Sequence, residues 1–234
     1  MGIARWHNIL IPFFYFLLPV GLVLLQPDLG SALILFGIWV GYLFISGARK
    51  KHLLIGLIIF ALAAAWGWQG FLKDYQQQRI IGLFRPDYDP LGINYNVIQS
   101  KIAIGSAGFF GKGYQQGTQV QLGFLPEAAT DFIFAAYVEE WGFVGAAALL
   151  AAFLTMIFRI IAIGVRGENN FTKLICLGTV AVFVLHFVFN VFSNIGLLPV
   201  IGLPFPFFSY GGSSLLTNAV LVGIIQSIVI KFSF

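Results

Sequence analysis

The sequence predicts an all-α fold, a polytopic helical membrane protein with about six transmembrane helices and one long loop outside the membrane. Of its 234 residues, 59% are hydrophobic, 17% aromatic and only 9% charged, and the mean hydropathy is +0.91. Soluble domains contain about 25% charged residues. The apolar runs are also continuous and reach the ~20 residues that a helix needs to cross a bilayer. A β-barrel would instead alternate apolar and polar residues in short segments.

The first three spans are predicted before residue 73. Their ranges are Asn8–Gln26, Leu29–Ser46 and Leu53–Leu72. Pro12 and Pro19 interrupt the first span, and membrane helices tolerate proline where neighbouring groups satisfy the freed backbone carbonyls. This first apolar run is long enough for a span and lacks a small-residue cleavage site, so we expect no cleavable signal peptide.

Residues 73–130 break this pattern and are predicted to form the one large extramembrane loop. The stretch from Lys73 to Asp131 holds ten of the 22 charged residues. Turn signals occur at Arg85-Pro86-Asp87 and at Asp89-Pro90-Leu91-Gly92. Within the loop, Val97–Gly105 is predicted to form a short amphipathic helix at the membrane interface.

Three further spans are predicted after this loop. Span four runs from near Asp131 to near Arg159. No Asp, Glu, Lys or Arg occurs from Leu174 to Ile230, a length that requires two crossings. Three prolines and a Gly-Gly pair between Gly196 and Gly212 forbid a continuous helix, so spans five and six meet there. Residues 1–234 are therefore interpreted as a single membrane domain.

The basic residues predict the orientation of the spans. If six spans alternate, eight of the 13 Lys and Arg residues lie on one side, which is then the cytoplasm. The opposite, extracytoplasmic side carries the turn 26–30, the loop 73–130 and the turn 196–212. The net charge of +4 follows from this loop distribution and does not indicate nucleic-acid binding. The lone cysteine, Cys176, excludes a disulfide framework.

The stretch Leu122–Gly145 carries four of the nine acidic residues, Glu127, Asp131, Glu139 and Glu140. Acidic groups at the end of a membrane helix are costly unless they are paired or functional, and Asp131 is the leading candidate for a catalytic residue. The alternative is that Asp131 caps the helix that follows it. Glu139 and Glu140 lie two turns deeper, where hydrogen bonding between helices is the alternative to a catalytic role.

Four cations of the loop are candidate ligands for a phosphate group, and the alternative is that they are ordinary charges of a solvated loop. They are Arg79, Arg85, Lys101 and Lys112. Asp28 is either a helix cap or a site residue. His186 and Asn190, one turn apart in an apolar span, are interpreted as a helix–helix hydrogen-bond pair. The sequence contains no Cys/His cluster, P-loop or dinucleotide fingerprint, so no metal ligand is predicted.

Several short motifs together resemble one family. They are Gln26-Pro-Asp-Leu-Gly30, Gln99-Ser-Lys-Ile-Ala-Ile-Gly-Ser106, Gly111-Lys-Gly113, Leu125-Pro-Glu127, Thr130-Asp-Phe-Ile-Phe134, Glu139-Glu140 and Ser209-Tyr-Gly-Gly-Ser213. Their order, spacing and loop placement resemble the SEDS family of cell-wall polymerases, which comprises RodA, FtsW and SpoVE. Gly117-Thr-Gln119 and Asp89-Pro-Leu-Gly92 resemble the elongation member RodA more than the division member FtsW.

The resemblance implies a peptidoglycan glycosyltransferase that polymerises lipid II at the extracytoplasmic face of the bacterial cytoplasmic (inner) membrane. Inverting transfer needs one general base, and Asp131 matches the family's essential aspartate. The implied substrate-binding residues are Arg79, Arg85, Lys101, Lys112, Glu127, Thr130, Glu139, Glu140, Asp28, Ser209 and Tyr210. Cations would stabilise the leaving pyrophosphate, with a divalent ion as an alternative source of charge. The implied partners are lipid II, the membrane and a class B penicillin-binding transpeptidase.

The resemblance covers the whole chain but not the whole family fold. Family members have additional spans, and this chain resembles their C-terminal portion, beginning just before the fifth span. We therefore expect it to be one part of a longer or split protein. Ala129 also departs from the family pattern, which usually has His before Thr-Asp, and so does Val191-Phe192-Ser193.

Two other functions remain open at this point. A polytopic protein with acidic residues in its spans could flip lipid II rather than polymerise it, although transporters often have internal repeats and this sequence has none. The chain could also be an inactive scaffold fragment that binds a transpeptidase. The intact Thr130-Asp131 pair favours the enzyme over the scaffold.

Overall fold

The structure is a computed structural model that describes residues 7–26, 28–45, 51, 54–58, 67–68, 72–85 and 88–232. The regular elements among these residues are all helices, as the composition predicts. The chain divides into two compact units, Met1–Gln77 and Gln78–Phe234. In chain order the helices are α1 His7–Leu25, α2 Leu29–Ile45, α3 Asp74–Phe84, α4 Tyr95–Ser106, α5 Thr118–Gln121, α6 Ile133–Arg166, α7 Asn170–Asn194 and α8 Gly212–Phe232.

The first unit contains α1 packed against α2. Helix α1 continues through its two internal prolines. Asp28 caps α2, because its carboxylate accepts hydrogen bonds from the backbone nitrogen of Ser31 at 3.1 Å and from the Ser31 hydroxyl at 2.6 Å. Phe16 stacks on Trp39 with ring centroids 5.4 Å apart. The first two of the three spans predicted in this part of the chain are therefore apolar helices.

The third predicted span, Leu53–Leu72, falls mostly outside the described residues. Residues 54–58 and 67–68 within it are helical. Four other features used in the sequence analysis also lie outside the described residues. These are Pro27 and Pro86-Asp87 of the motifs, and Arg5 and Arg49-Lys50 among the basic residues that predict the orientation.

The core of the second unit lies between α6 and α7. Phe183 of α7 is fully buried, and Phe153 of α6 stacks on Phe187 of α7 with centroids 4.5 Å apart. Phe205, from the segment between α7 and α8, packs edge-on against Phe153 at 5.5 Å, and Ile225 of α8 joins the same cluster. The apolar faces that make these helices suited to a bilayer thus also join them to one another.

The later span predictions are confirmed, with one difference in bounds. Among the described residues, α6, α7 and α8 are long and apolar enough to cross a membrane, and the chain is a multi-pass membrane protein. Helix α6 ends at Arg166, seven residues beyond the predicted end near Arg159, because an apolar run follows Arg159. Helix α7 ends at Asn194 and α8 begins at Gly212, so the predicted break between spans five and six is confirmed.

The segment predicted as a long loop contains three helices, α3, α4 and α5. The predicted helix Val97–Gly105 is confirmed as α4, which packs against α6 and α7. Ser100 and Ala103 of α4 are fully buried, and the Ser100 hydroxyl donates to the carbonyl of Asn194 at 2.7 Å. This part of the loop is therefore integrated into the second unit.

Candidate active site

A compact turn centred on Glu127 precedes α6. Glu127 has a φ of +55°, a left-handed conformation that residues other than glycine adopt rarely. Its carbonyl oxygen accepts hydrogen bonds from the backbone nitrogens of Thr130 and Phe132, each at 3.1 Å. The Thr130 hydroxyl donates to the Glu127 carboxylate at 2.9 Å. These contacts determine the path of the chain through Asp131.

The segment between α7 and α8 binds the backbone of this turn. The backbone nitrogen of Tyr210 donates to the carbonyl of Ala129 at 2.8 Å. The hydroxyl of Ser209 donates to the carbonyl of Thr130 at 2.8 Å and accepts from the nitrogen of Phe205 at the same distance. The structure thus brings the predicted site residue Ser209 to Thr130. Tyr210 binds the neighbouring Ala129 through its backbone, while its side chain is exposed.

Two asparagines of α7 bind the next carbonyl, that of Asp131. The side-chain nitrogens of Asn190 and Asn194 donate to it at 3.1 and 2.8 Å. Asn190 also donates to the carbonyl of Leu203, and the side-chain oxygen of Asn194 accepts from the backbone nitrogen of Ala135, both at 3.0 Å. Both asparagines are almost fully buried. Three successive carbonyls before α6 are therefore fixed by groups from one end of α7 and the segment that follows it.

The carboxylate of Asp131 is left available by this arrangement. It is half-buried, and among the described residues no group donates a hydrogen bond to it. The capping alternative is not supported, because Phe132 occupies the position before α6 and no side chain caps that helix. Burial raises the pKa of Asp131, the charge of Glu127 raises it further, and the charge of Arg79 lowers it.

A small cleft with a basic lining lies beside Phe132. Phe132, the residue after Asp131, forms part of its wall together with α3, α4 and the 196–200 segment. Arg79 and Lys101 are the cations of the lining, and Arg79 also donates to the carbonyl of Val200 at 2.8 Å. The side chain of Lys101 lies across Gly196, where a Cβ would collide with it. Two cations and one carboxylate of the predicted set therefore share one region.

Lys112 and Glu139 lie in a different place, where they bind each other. Glu139 is fully buried, and its Oε1 accepts from the Lys112 ammonium at 2.7 Å. The same oxygen accepts from the Thr118 hydroxyl at 3.2 Å and from the backbone nitrogen of Gln119 at 3.0 Å. The structure thus gives these two predicted site residues an internal ion pair, two turns along α6 from Asp131.

Helix α6 is interrupted at Gly142, beside this ion pair. Gly142 has φ +67° and ψ −166°, a conformation that is essentially restricted to glycine. The glycine-rich stretch Gly108–Gly113 satisfies the backbone groups released by the break. Its nitrogens at Lys112 and Gly113 donate to the carbonyls of residues 139 and 140, and its carbonyls at residues 108 and 109 accept from the nitrogens of Phe143 and Val144, all within 3.1 Å. The break is therefore fully hydrogen-bonded at these four groups.

The break also changes the length of helix that is available to span a membrane. Thirty-four residues would extend about 51 Å, well beyond the ~30 Å of a bilayer core. Residues 143–166, after the break, would extend about 36 Å, which is sufficient for a crossing. The first segment of α6 is thus a short separate helix, and Asp131 lies two residues before it.

The remaining predicted site residues lie apart from Asp131 or contribute little to its surroundings. Arg85 lies at the end of α3 with an exposed side chain, and its carbonyl accepts from the Asn94 side chain at 3.3 Å. Glu140 is half-buried, and its carbonyl accepts from Gly113 at 3.0 Å. Asp28 belongs to the first unit, where it caps α2.

The sequence analysis missed the role of Asn194. His186 and Asn190, interpreted as a helix–helix hydrogen-bond pair, both bind backbone outside α7. The ring nitrogen Nδ1 of His186 lies 3.1 Å from the carbonyl of Pro204, and the Asn190 amide donates to one carbonyl before α6 and to one after α7. Polar residues at positions 186, 190 and 194 lie one helical turn apart on a single face, and this spacing was the available signal.

Within the described part of the chain, no cluster of three or more His, Cys, Asp or Glu residues is arranged to hold a metal ion. The fold and the site together define a multi-pass helical membrane protein. Asp131 is half-buried just before α6, and the charge of Arg79 acts on it.

Comparison with known proteins identifies the family. The FtsW/RodA/SpoVE family profile, described as cell cycle protein, matches residues 2–233. The chain belongs to this family, as its motifs indicate. It is 42% identical over 213 residues to the peptidoglycan glycosyltransferase MrdB of Escherichia coli K12, covering 90% of this chain and 57% of the relative. It is 39% identical over 192 residues to the peptidoglycan glycosyltransferase RodA of Treponema pallidum, covering 81% and 44%.

Solved structures agree with this assignment. A chain of a peptidoglycan synthase complex, described for its structural coordination of polymerization and crosslinking, matches with a TM-score of 0.79 and 34% identity, covering 100% of this chain and 65% of that one. The rod shape determining protein RodA of Thermus thermophilus matches with a TM-score of 0.64 and 30% identity, covering 98% and 58%. The chain thus spans little more than half the length of the first curated relatives that it matches.

Proposed function

We propose that this chain carries the active site of a peptidoglycan glycosyltransferase that polymerises lipid II, with Asp131 as the general base. The observation that carries the proposal is the hydrogen bonding of residues 129–131. Their three carbonyls are all bound by neighbouring groups, whereas the Asp131 carboxylate receives no donor among the described residues. A fixed backbone with a free, half-buried carboxylate is what proton transfer to a bound substrate needs. The names of the relatives support this function.

The proposed reaction is an inverting displacement. A hydroxyl of the acceptor sugar loses its proton to the Asp131 carboxylate while its oxygen attacks the anomeric carbon of the donor. The bond from that carbon to the undecaprenyl pyrophosphate oxygen breaks, and the pyrophosphate leaves with the electron pair. The raised pKa of Asp131 makes its carboxylate a stronger base than an ordinary aspartate.

Arg79 and Lys101 are the cations we assign to the leaving pyrophosphate. Both line the cleft beside Phe132, and the charge of Arg79 acts on Asp131. Charge-assisted hydrogen bonds to phosphate oxygens would stabilise the negative charge that develops as the bond breaks. A divalent ion, if used, would be held mainly by the substrate phosphates, as Mg²⁺ commonly is.

We further propose that the site lies at the extracytoplasmic face of the bacterial cytoplasmic membrane and that the partner is a class B penicillin-binding transpeptidase. The orientation rests on the excess of Lys and Arg in the loops of the opposite side. The partner is supported by the match to a chain of a peptidoglycan synthase complex. The elongation role rests on the relatives named RodA and on the motifs that resemble them.

Asp131→Asn in the full-length protein tests the assignment. Asparagine keeps the size of the side chain and leaves the backbone contacts in place, but it cannot take the proton. Polymerisation of lipid II should fall by about 10² to 10⁴, whereas binding of lipid II should be retained. A flippase or a scaffold would keep its function in this variant.

Asp89→Asn is a matched control for the same chemical change. The Asp89 carboxylate accepts from the backbone nitrogens of Gly92 and Ile93, both at 3.1 Å, and asparagine can retain part of this contact. Its turnover should stay near that of the parent. Near-parental polymerisation by Asp131→Asn would disprove the proposed base.

A further inference from the structure

Glu139 is a fully buried carboxylate whose contacts all come from one stretch of the extramembrane segment. Its Oε1 accepts from the side chains of Lys112 and Thr118 and from the backbone of Gln119. Its Oε2 is buried without a hydrogen-bond partner among the described residues. A buried carboxylate requires such pairing, because an unpaired buried charge is strongly destabilising.

Gln119 connects this carboxylate to the turn that carries Asp131. Its backbone nitrogen donates to Glu139, and its carbonyl accepts from the backbone nitrogen of Leu125 at 3.0 Å. Leu125 is buried in a cluster with Phe132. Residues 119–139 thus form a closed loop, because the Glu139 carboxylate at one end binds the backbone of Gln119 at the other. Asp131 lies within this loop.

The backbone around Lys112 fits this closed arrangement closely. The nitrogen of Lys112 donates to the carbonyl of Glu139 at 2.9 Å, so backbone and side chain of Lys112 bind the same residue. Gly117 lies against the carboxylate, and a Cβ there would come within 2.7 Å of Oε2. The side chain of Lys112 is 24% exposed, and its ammonium is directed to Glu139 and Thr118.

We propose that Glu139, Lys112, Thr118 and Gln119 form a latch that positions Asp131 for proton transfer, with Lys112 and Glu139 acting on the turn rather than on the substrate. The role of Asp131 in this proposal rests on the proposed function. The latch itself does not, because its contacts hold residues 117–131 in place whatever reaction the protein catalyses.

Hydrogen exchange on the purified protein tests the latch without any substrate. Glu139→Ala and Lys112→Met should each speed amide exchange across residues 117–131 by at least about tenfold, because each removes a buried charged contact, while α7 stays protected. Lys112→Arg should restore protection because it retains the cation. Glu140→Gln changes the same functional group one residue further on and should leave this protection unchanged.

If Glu139→Ala fails to fold, Thr118→Val serves in its place. It removes one hydroxyl that donates to Glu139 and accepts from Lys112, and it leaves both charges intact. A smaller acceleration confined to residues 117–131 is expected. Unchanged exchange in Lys112→Met and Thr118→Val would overturn the latch.

Kinetics of the full-length enzyme distinguish positioning from substrate binding. When the latch opens, Asp131 becomes more solvated, so the acid limb of kcat in Lys112→Met should move to lower pH, with little change in KM. Glu127 and Arg79 are the charged groups that act on Asp131, and both stay in place in this variant. A raised KM with an unmoved limb would instead make Lys112 a substrate ligand. If the parent enzyme does not polymerise lipid II, the proposed function fails while the exchange measurement still decides the latch.

Discussion

Asp131 and Glu139 stand eight positions apart at the start of the same helical segment, and their surroundings are opposite. Glu139 is fully buried, and three groups donate to one of its oxygens within 3.2 Å. Asp131 is half-buried, and two buried amides donate to its backbone carbonyl but, within the described residues, none to its carboxylate.

This difference separates a structural acid from a reactive one. A buried carboxylate that pairs with a cation and accepts hydrogen bonds from another segment of the chain joins the two segments. A carboxylate whose backbone is fixed and whose oxygens are left free has a defined position and can still accept a proton. Of these two acids, Glu139 in α6 thus builds the site, and Asp131 just before α6 carries out the proposed chemistry.

The largest expected effect comes from filling the helix break beside Glu139. A Cβ at Gly142 would collide with the backbone nitrogen of Gly111, and the residue has φ +67°. Gly142→Ala should destabilise the protein by more than about 3 kcal/mol, or prevent its folding, because neither backbone segment can withdraw without losing hydrogen bonds. Thermal unfolding of the purified protein measures this.

Gly105→Ala is the matched control for that change. Gly105 lies in α4, and a Cβ there meets no atom within 4 Å. Its stability should change by less than about 1 kcal/mol. Equal behaviour of the two variants would remove the support for a rigid break at Gly142.

A smaller effect is expected from changing the side-chain amides that bind the carbonyl of Asp131. Asn194→Ala removes one of the two donors to the carbonyl of Asp131 and leaves the buried nitrogen of Ala135 without its acceptor. Each buried group left unsatisfied costs about 1–3 kcal/mol, so a clear drop in thermal stability should accompany a loss of turnover. In Thr155→Ala, which loses only a local bond to the carbonyl of Ala151 one turn away, stability should change by less than about 0.5 kcal/mol. A fully stable and active Asn194→Ala would contradict the proposed role of α7.

The sequence predicted the spans well because length and hydropathy are local properties. It also singled out Asp131 as a candidate, through its position at the start of an apolar run. It could not separate Asp131 from Glu139, because both are acids near a span, and their difference depends on Lys112, which lies 27 positions before Glu139. The break at Gly142 could not be predicted from the sequence either, because a single glycine in an apolar helix is usually tolerated. Only the close approach of the stretch Gly108–Gly113 requires a glycine at this position.

The pH dependence of kcat in the full-length enzyme tests the central claim most directly. The proposed base works in its deprotonated form, so turnover falls as pH falls through its pKa. Burial of Asp131 and the charge of Glu127 both raise this pKa, so the acid limb lies above the ordinary pKa of aspartate. Glu127→Gln removes a like charge and should move the limb to lower pH, while Gln can still accept from the Thr130 hydroxyl. Arg79→Gln removes the opposite charge and should move the limb to higher pH. Shifts in opposite directions are the predicted result; a limb that stays in place in both variants would contradict Asp131 as the general base.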